Sequence, residues 1–247
     1  MNNKLAEKLI KSIKNPLKAL RYLKFMVRHN FREKKGILVI VGLESEGVFS
    51  LMYKGYEKCY CFEANPERFK LLEKKYSAYP HIHLFNVAVA QYNGEITFNI
   101  SSNNNGASSS VGTFNEDWQE KYNNEKIEMV KSITVPCINL YDFCLKNNIH
   151  FIDDYVSDIQ GMDLEVLKTL KPMIEHKKIR TITSEVAKNE KINIYRDLPD
   201  NSENGFASLL NENYQLIAKG WGVLEDNTFE TIPDDAWEMD CKWRLKE

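Results

Sequence analysis

The stretch CYCFEANPERFKLLEKKY, Cys59 to Tyr76, constrains the fold more than any other part of this chain. An apolar strand runs directly into a carboxylate, Glu63, and then into a helix whose first turn takes Pro66, a residue that a helix interior would reject. That order places Glu63 at the carboxyl end of a strand. Ligands of open α/β sheets bind outside those ends, where an acid after the second strand can accept hydrogen bonds from ribose hydroxyls. The other reading of Glu63 is a solvated strand-end charge, and the residues before it bear on the choice.

Those residues are KKGILVIVGLESEGVFSLMYKGY. Ile37 to Val41 is a short apolar run rich in β-branched side chains, which reads as a strand buried on both faces, and Gly42 and Gly47 follow it. Glycine there permits positive φ and a close approach of backbone to ligand, while free amides at the next helix start favour electron-rich atoms. With only two glycines, the G-x-G-x-x-G spacing of a nicotinamide site is not met. Glu44 and Glu46 put negative charge where a pyrophosphate would sit and where a sulfonium or amino group is better placed. The sign points to S-adenosylmethionine.

With 247 residues, 43% apolar and 28% charged, the chain suits one α/β domain, expected over residues 36–247, behind an arm of residues 1–35. The arm holds eleven Lys or Arg against Glu7 and Glu33, whereas the remainder holds 22 against 33 acids. Leu5, Leu9, Ile13, Leu17, Leu20 and Leu23 form a helical stripe within it, interrupted near Asn15 and Pro16. Such a stripe packs either on the acidic domain or a second subunit, giving a homo-oligomer, or on anionic lipid or an acidic glycolipid precursor. Nucleic acid is not expected as a partner. No apolar run approaches the roughly 20 residues that cross a bilayer, and no secretory signal pattern opens the chain. A cytoplasmic protein is expected, with peripheral contact to the inner face of the membrane if the arm meets lipid. The five cysteines form neither a disulfide framework nor a zinc pattern and read as core residues.

Further along, HIHLFNVAVA, His81 to Ala90, predicts a third strand with His81 and His83 at its edge, and GEITFNI another after a turn at Asn93 and Gly94. SSNNNGASSSVG, Ser101 to Gly112, predicts a loop that could serve as linker or lid. In IHFIDDYVSDIQGMDLEVLKTL a strand ends in Asp158, Gly161 turns the chain, and Asp163 and Glu165 open a helix with Leu164, Leu167 and Leu170 inward. A neighbouring strand, Ile179 to Thr183, delivers Glu185 to the same end. Asp158 and Glu185 together could orient a hydroxyl, act as base or hold a divalent ion; a helix cap and a strand-end charge are the plainer readings. Near the carboxyl end, Trp221, Trp237 and Trp243 offer either sugar-stacking faces or core.

FEANPERFKLL, NVAVAQYNGEITF, VPCINLYDF and SDIQGMDLEVLK, followed by TSEV, stand in the order and approximate spacing of the FkbM-type S-adenosylmethionine-dependent methyltransferases, which the chain resembles over about Ile37 to Lys219. The resemblance implies a Rossmann-like class I methyltransferase sheet, mostly parallel with helices on both faces. It implies that Gly42, Glu44, Gly47 and Glu63, with Ala64 and Asn65 beside it, hold the methionine and ribose of the cofactor, and that Asn86 to Ala88 lie near adenine. Asp158, Gln160 and Gly161 would line the reactive crevice, Asp158 being the first choice for proton acceptor or metal ligand and Glu185 the second. The acceptor implied is a hydroxyl on a sugar, a glycan precursor or a small metabolite. Departures from the family pattern fall on GLESEG after Val41, on Ser157 in place of lysine and on Asp163 in place of glutamate. They motivate an alternative, a methyltransferase-like binding module without catalysis; a Rossmann oxidoreductase acting on nucleotide sugars is a third reading.

Overall fold

The computed structural model describes residues 35–43, 52–121, 126–188, 194–222 and 225–247. The basic arm, and with it Glu44 and Gly47 of the glycine loop, lies outside the described residues. The first strand, β1 (Lys35–Val41), is followed by β2 (Tyr56–Phe62), α1 (Pro66–Tyr76), β3 (Ile82–Phe85), β4 (Ala88–Ala90) and β5 (Gly94–Ser101). Next come β6 (Thr113–Phe114), α2 (Glu116–Lys121), β7 (Met129–Asn139), α3 (Leu140–Lys146) and β8 (Ile152–Ser157). The remainder is α4 (Asp163–Thr169), α5 (Lys171–Glu175), β9 (Ile179–Ala187), β10 (Tyr195–Arg196), α6 (Glu203–Leu210), β11 (Tyr214–Gly220) and β12 (Glu238–Leu245).

Seven strands form one open sheet in the order β11-β12-β9-β8-β1-β2-β3. The five from β9 to β3 are parallel to their neighbours, while β12 runs antiparallel between β9 and β11. In β1, alternate residues feed opposite faces, as the two-residue period of a strand requires. Val39 and Val41 join a core with Tyr155, Leu164, Leu167, Phe206 and Trp243, and Leu38 and Ile40 join another with Tyr56, Cys59, Cys61 and Tyr76. Helix α1 starts where the sequence predicts: the Asn65 side chain accepts from the Glu67 amide at 3.0 Å and Pro66 occupies the first turn. All five cysteines are buried and free. No described helix is long and apolar enough to cross a membrane.

One expectation needs correction and two are resolved by the structure. His81 to Ala90 is two strands rather than one: β3 extends the large sheet, but β4 belongs to a separate sheet of order β4-β7-β5. The chain breaks at Asn86, whose amide turns back to donate to the carbonyls of Glu63 and Ala64 at 2.9 and 3.3 Å. Ser101 to Gly112 is the expected loop, and it is pinned in place by reciprocal backbone bonds between Asn99 and Ser110 and by the Ser101 amide donating to Ser109 Oγ. Of the two readings of Trp243 the structure bears out core packing, since the side chain is buried and stacked on Phe206 at 5.1 Å.

Candidate functional site

The sheet reverses its winding between β1 and β8, since β1 leads to β2 on one side and β8 to β9 on the other. Strand carboxyl ends part at such a point and leave a crevice. Here the end of β1 is tied to both neighbours just below it: the Gly42 amide donates to the Phe62 carbonyl at the end of β2, and the Asp158 amide after β8 donates to the Val41 carbonyl, both at 3.0 Å. Gly42 has φ +80°, and a Cβ on it would stand 1.9 Å from the Asp158 carbonyl oxygen, so only glycine allows these loops to meet. The crevice above is walled by Phe62, Glu63, Ala64 and Arg68, by Val87, Ala88, Val89 and Phe98, and by Asp158, Ile159 and Gln160. Gly106, Ala107, Ser109 and Val111 cover it from the folded connection after β5.

Glu63 lies directly after β2 and is 6% exposed. One carboxylate oxygen accepts from the Asn65 amide at 2.7 Å, and the other lies 3.7 Å from Arg68 Nε. Burial pushes its carboxyl above the usual range; the Asn65 amide and the Arg68 guanidinium oppose that rise, and the Asp158 charge adds to it. Ala64 and Ala88 face the same crevice. Asn65 caps α1, with its Nδ2 3.4 Å from the Asn105 carbonyl, while the Asn86 amide is bonded to the turn at Glu63 and Ala64. These two asparagines build the wall through backbone bonds. Arg68, in the first turn of α1, is a site residue that the sequence reading missed; its i+5 spacing from Glu63 across a helix start is the signal that could have found it.

On the other side, the register pairs Ser157 with Ser184 and Glu185 with Asp240, which brings β8, β9 and β12 to one rim. Gln160 bridges the two predicted acids: its Nε2 donates to Asp158 Oδ1 and to Glu185 Oε2, each at 2.8 Å. Its Oε1 accepts from the Tyr195 hydroxyl at 2.6 Å. The carboxyls of Asp163, Glu238 and Asp240 add to this group. Burial, and then the Asp158 charge, push Asp163 and Asp240 up to about 7 and Glu238 to about 8, and push Glu185 well above the usual range. Asp163 is wholly buried and its Oδ2 has no hydrogen-bond partner, which fits a carboxyl that keeps its proton. Among the described residues, no group of three or more His, Cys, Asp or Glu is arranged to hold a metal ion.

Beside this rim lies a second cavity of about 450 Å³, lined by Glu185, Trp221, Trp237, Glu238, Met239 and Asp240, with Pro233, Asp235 and Ala236 at its border. Trp221 keeps 46% of its surface exposed there. Glu238 and Asp240 were not anticipated, although the alternation of Met239, Cys241 and Trp243 with polar residues in β12 is the signal that sets them on one face.

Among solved structures, the FkbM methyltransferase of Methylobacillus flagellatus is similar at 11% identity and a TM-score of 0.47, over 90% of this chain and 48% of that one. An rRNA methylase from Streptococcus thermophilus gives 7% and 0.44 over 92% and 96% of the two chains. The N-methyltransferase NodS of Bradyrhizobium japonicum, in complex with S-adenosylhomocysteine, gives 10% and 0.43 over 96% and 91%. No curated protein matches this chain significantly. The family model of the methyltransferase FkbM domain matches residues 41–208, a span that holds Glu63, Asp158, Gln160 and Glu185, and the chain therefore belongs to the FkbM methyltransferase family.

Proposed function

We propose that this protein transfers a methyl group from S-adenosylmethionine to a hydroxyl of a sugar or sugar-like polyol. The observation that carries the reading is the buried Glu63 carboxylate at the end of β2, opening on a crevice whose other walls are Val87, Ala88, Val89 and Phe98. A nucleoside presents the matching chemistry, a diol beside a flat apolar base. Glu63 would hold the ribose hydroxyls, with Ala88 and Val89 against the adenine and Gly42 and Asp158 towards the methionine end. When bound, the cofactor supplies an electrophilic methyl on a cationic sulfur.

The protein's own residues then align an acceptor and keep water out. Orientation alone can contribute roughly 7 to 11 kcal/mol to such a reaction, and a positioned base about a hundred- to ten-thousandfold. Asp158 lines the crevice and is the residue placed to take the hydroxyl proton, whereas Glu185, whose carboxyl is raised by burial and by the Asp158 charge, accepts from Gln160 and stands second. The second cavity supports the polyol reading. Its indole faces suit the apolar side of a sugar ring, its carboxyls suit hydroxyls, and no Lys, Arg or His lines it among the described residues, which disfavours phosphorylated acceptors.

Calorimetric titration with S-adenosylmethionine tests the donor half. Wild type should bind with micromolar affinity and Glu63→Ala should lose a hundredfold or more. A panel of methyl glycosides with isotopically labelled cofactor tests the acceptor half. Absence of both heat and thermal shift at millimolar cofactor would overturn the reading in favour of a binding module without catalysis.

A further inference from the structure

Gln160 has an unusual backbone and a fully committed side chain. Its φ of +59° is a left-handed conformation that non-glycine residues seldom adopt, and its carbonyl accepts from Ser110 Oγ at 2.8 Å. Its carboxamide touches both acids of the rim through nitrogen, and only through its oxygen does it touch Tyr195. A carboxamide can exchange its oxygen and nitrogen by a half-turn. A hydroxyl held 2.6 Å from Oε1 opposes that turn and fixes the plane of the amide, and so the direction in which its two N–H bonds point.

Tyr195 is itself held rigidly. It lies on β10, which pairs with β6, and its ring stacks on Phe114 at 5.5 Å, which in turn stacks on Trp118 at 5.0 Å. Gly161 lets the ring come close, since a Cβ there would stand 3.3 Å from it. The same hydroxyl lies 3.2 Å from the Ser108 carbonyl, within the connection that covers the donor crevice. One oxygen thus touches the cover of the crevice and the amide that joins its two acids.

Resting on the methyl-transfer reading above, we propose that Tyr195 is a positioning residue for that reaction, acting through Gln160 to set the spacing and direction of Asp158 and Glu185 towards the acceptor hydroxyl. Tyr195 is not among the residues that line either cavity. Its effect is geometric: removing the hydroxyl leaves the ring stack in place and frees the amide to rotate, so that the two carboxyls lose their common tether.

Tyr195→Phe tests this, with Gln160→Leu and the double variant, using the methyl glycoside that turns over fastest in the panel. The expected result is a cofactor Kd within twofold of wild type, a kcat lowered ten- to a hundredfold by either single change, and no further loss in the double variant, as for two residues acting in one unit. An unchanged kcat in Tyr195→Phe, or losses that multiply in the double variant, would overturn the proposal. A second readout does not need turnover. The side-chain amide signals of Gln160 in a proton–nitrogen NMR spectrum, assigned by their loss in Gln160→Leu, should be protected from solvent exchange in wild type and lose that protection in Tyr195→Phe. If no glycoside is methylated and protection is still lost, the methyl-transfer reading fails while the amide lock stands; if protection is unchanged, the lock itself is overturned.

Discussion

The two sides of the crevice use the same functional group in opposite ways. At the end of β2 burial raises the single carboxyl of Glu63 as well, but a backbone amide and a guanidinium oppose that rise and favour its charged form. Across the switch point, Asp163, Glu185, Glu238 and Asp240 gather around Asp158, and each is driven up by burial and by its acidic neighbours. The lesson is that a carboxyl's role follows its partners. On the proposed reading the first side offers a fixed acceptor for ribose hydroxyls, and the second offers carboxyls whose raised values near 7 to 8 let them donate as well as accept.

Several changes would break or sharpen this contrast. The largest effect is expected from Gly42→Ala, which collides with the Asp158 carbonyl at the point where the two sides are tied. It should cost about 3 kcal/mol or more of stability, read as a lower urea midpoint, and an unchanged midpoint would mean that the loops can part cheaply. Next comes Glu63→Gln, which keeps the shape of the first carboxylate and removes its charge. It should weaken cofactor binding about tenfold or more by calorimetry, in line with roughly 1.5 to 3 kcal/mol for a hydrogen bond to a charged group. Equal affinity would show that Glu63 only shapes the turn.

The smallest effect concerns the acidic side. Carboxyls whose folded-state values stand at about 7 to 8 bind more protons folded than unfolded. Their contribution to stability is therefore fully present below about pH 4 and is lost as pH rises through 7 and 8. Scanning calorimetry should find Tm falling between pH 6 and 9, and Glu238→Gln should recover roughly 3 °C at the alkaline end. A Tm that rises over that range, or an unresponsive variant, would remove the contrast between the two sides.

Much of the first side is legible in the sequence because it is local. A strand, an acid, a capping asparagine and a proline lie within eight residues, and the structure places them as strand, turn and helix start. The second side is assembled from β8, β9, β10 and β12, and its contacts join residues far apart in the chain. The Gln160 bridge to Glu185 spans 25 residues and its bond to Tyr195 spans 35. Tyr195 sits in a two-residue strand with no periodicity to announce it. The break at Asn86 was invisible for the same reason, since the apolar run continues through it and only the distant carbonyls at Glu63 and Ala64 explain the turn.

The position of β12 has a consequence for how the molecule is made. This strand lies between β9 and β11, yet it leaves the ribosome after both. A nascent chain that has emerged only through residue 220 can pair the strands from β3 to β9, but β11 has no neighbour and Glu185 has no Asp240 opposite it. The Glu63 side of the crevice can therefore take shape during synthesis, and the acidic rim is completed only when residues 238 to 245 arrive to wedge the sheet shut.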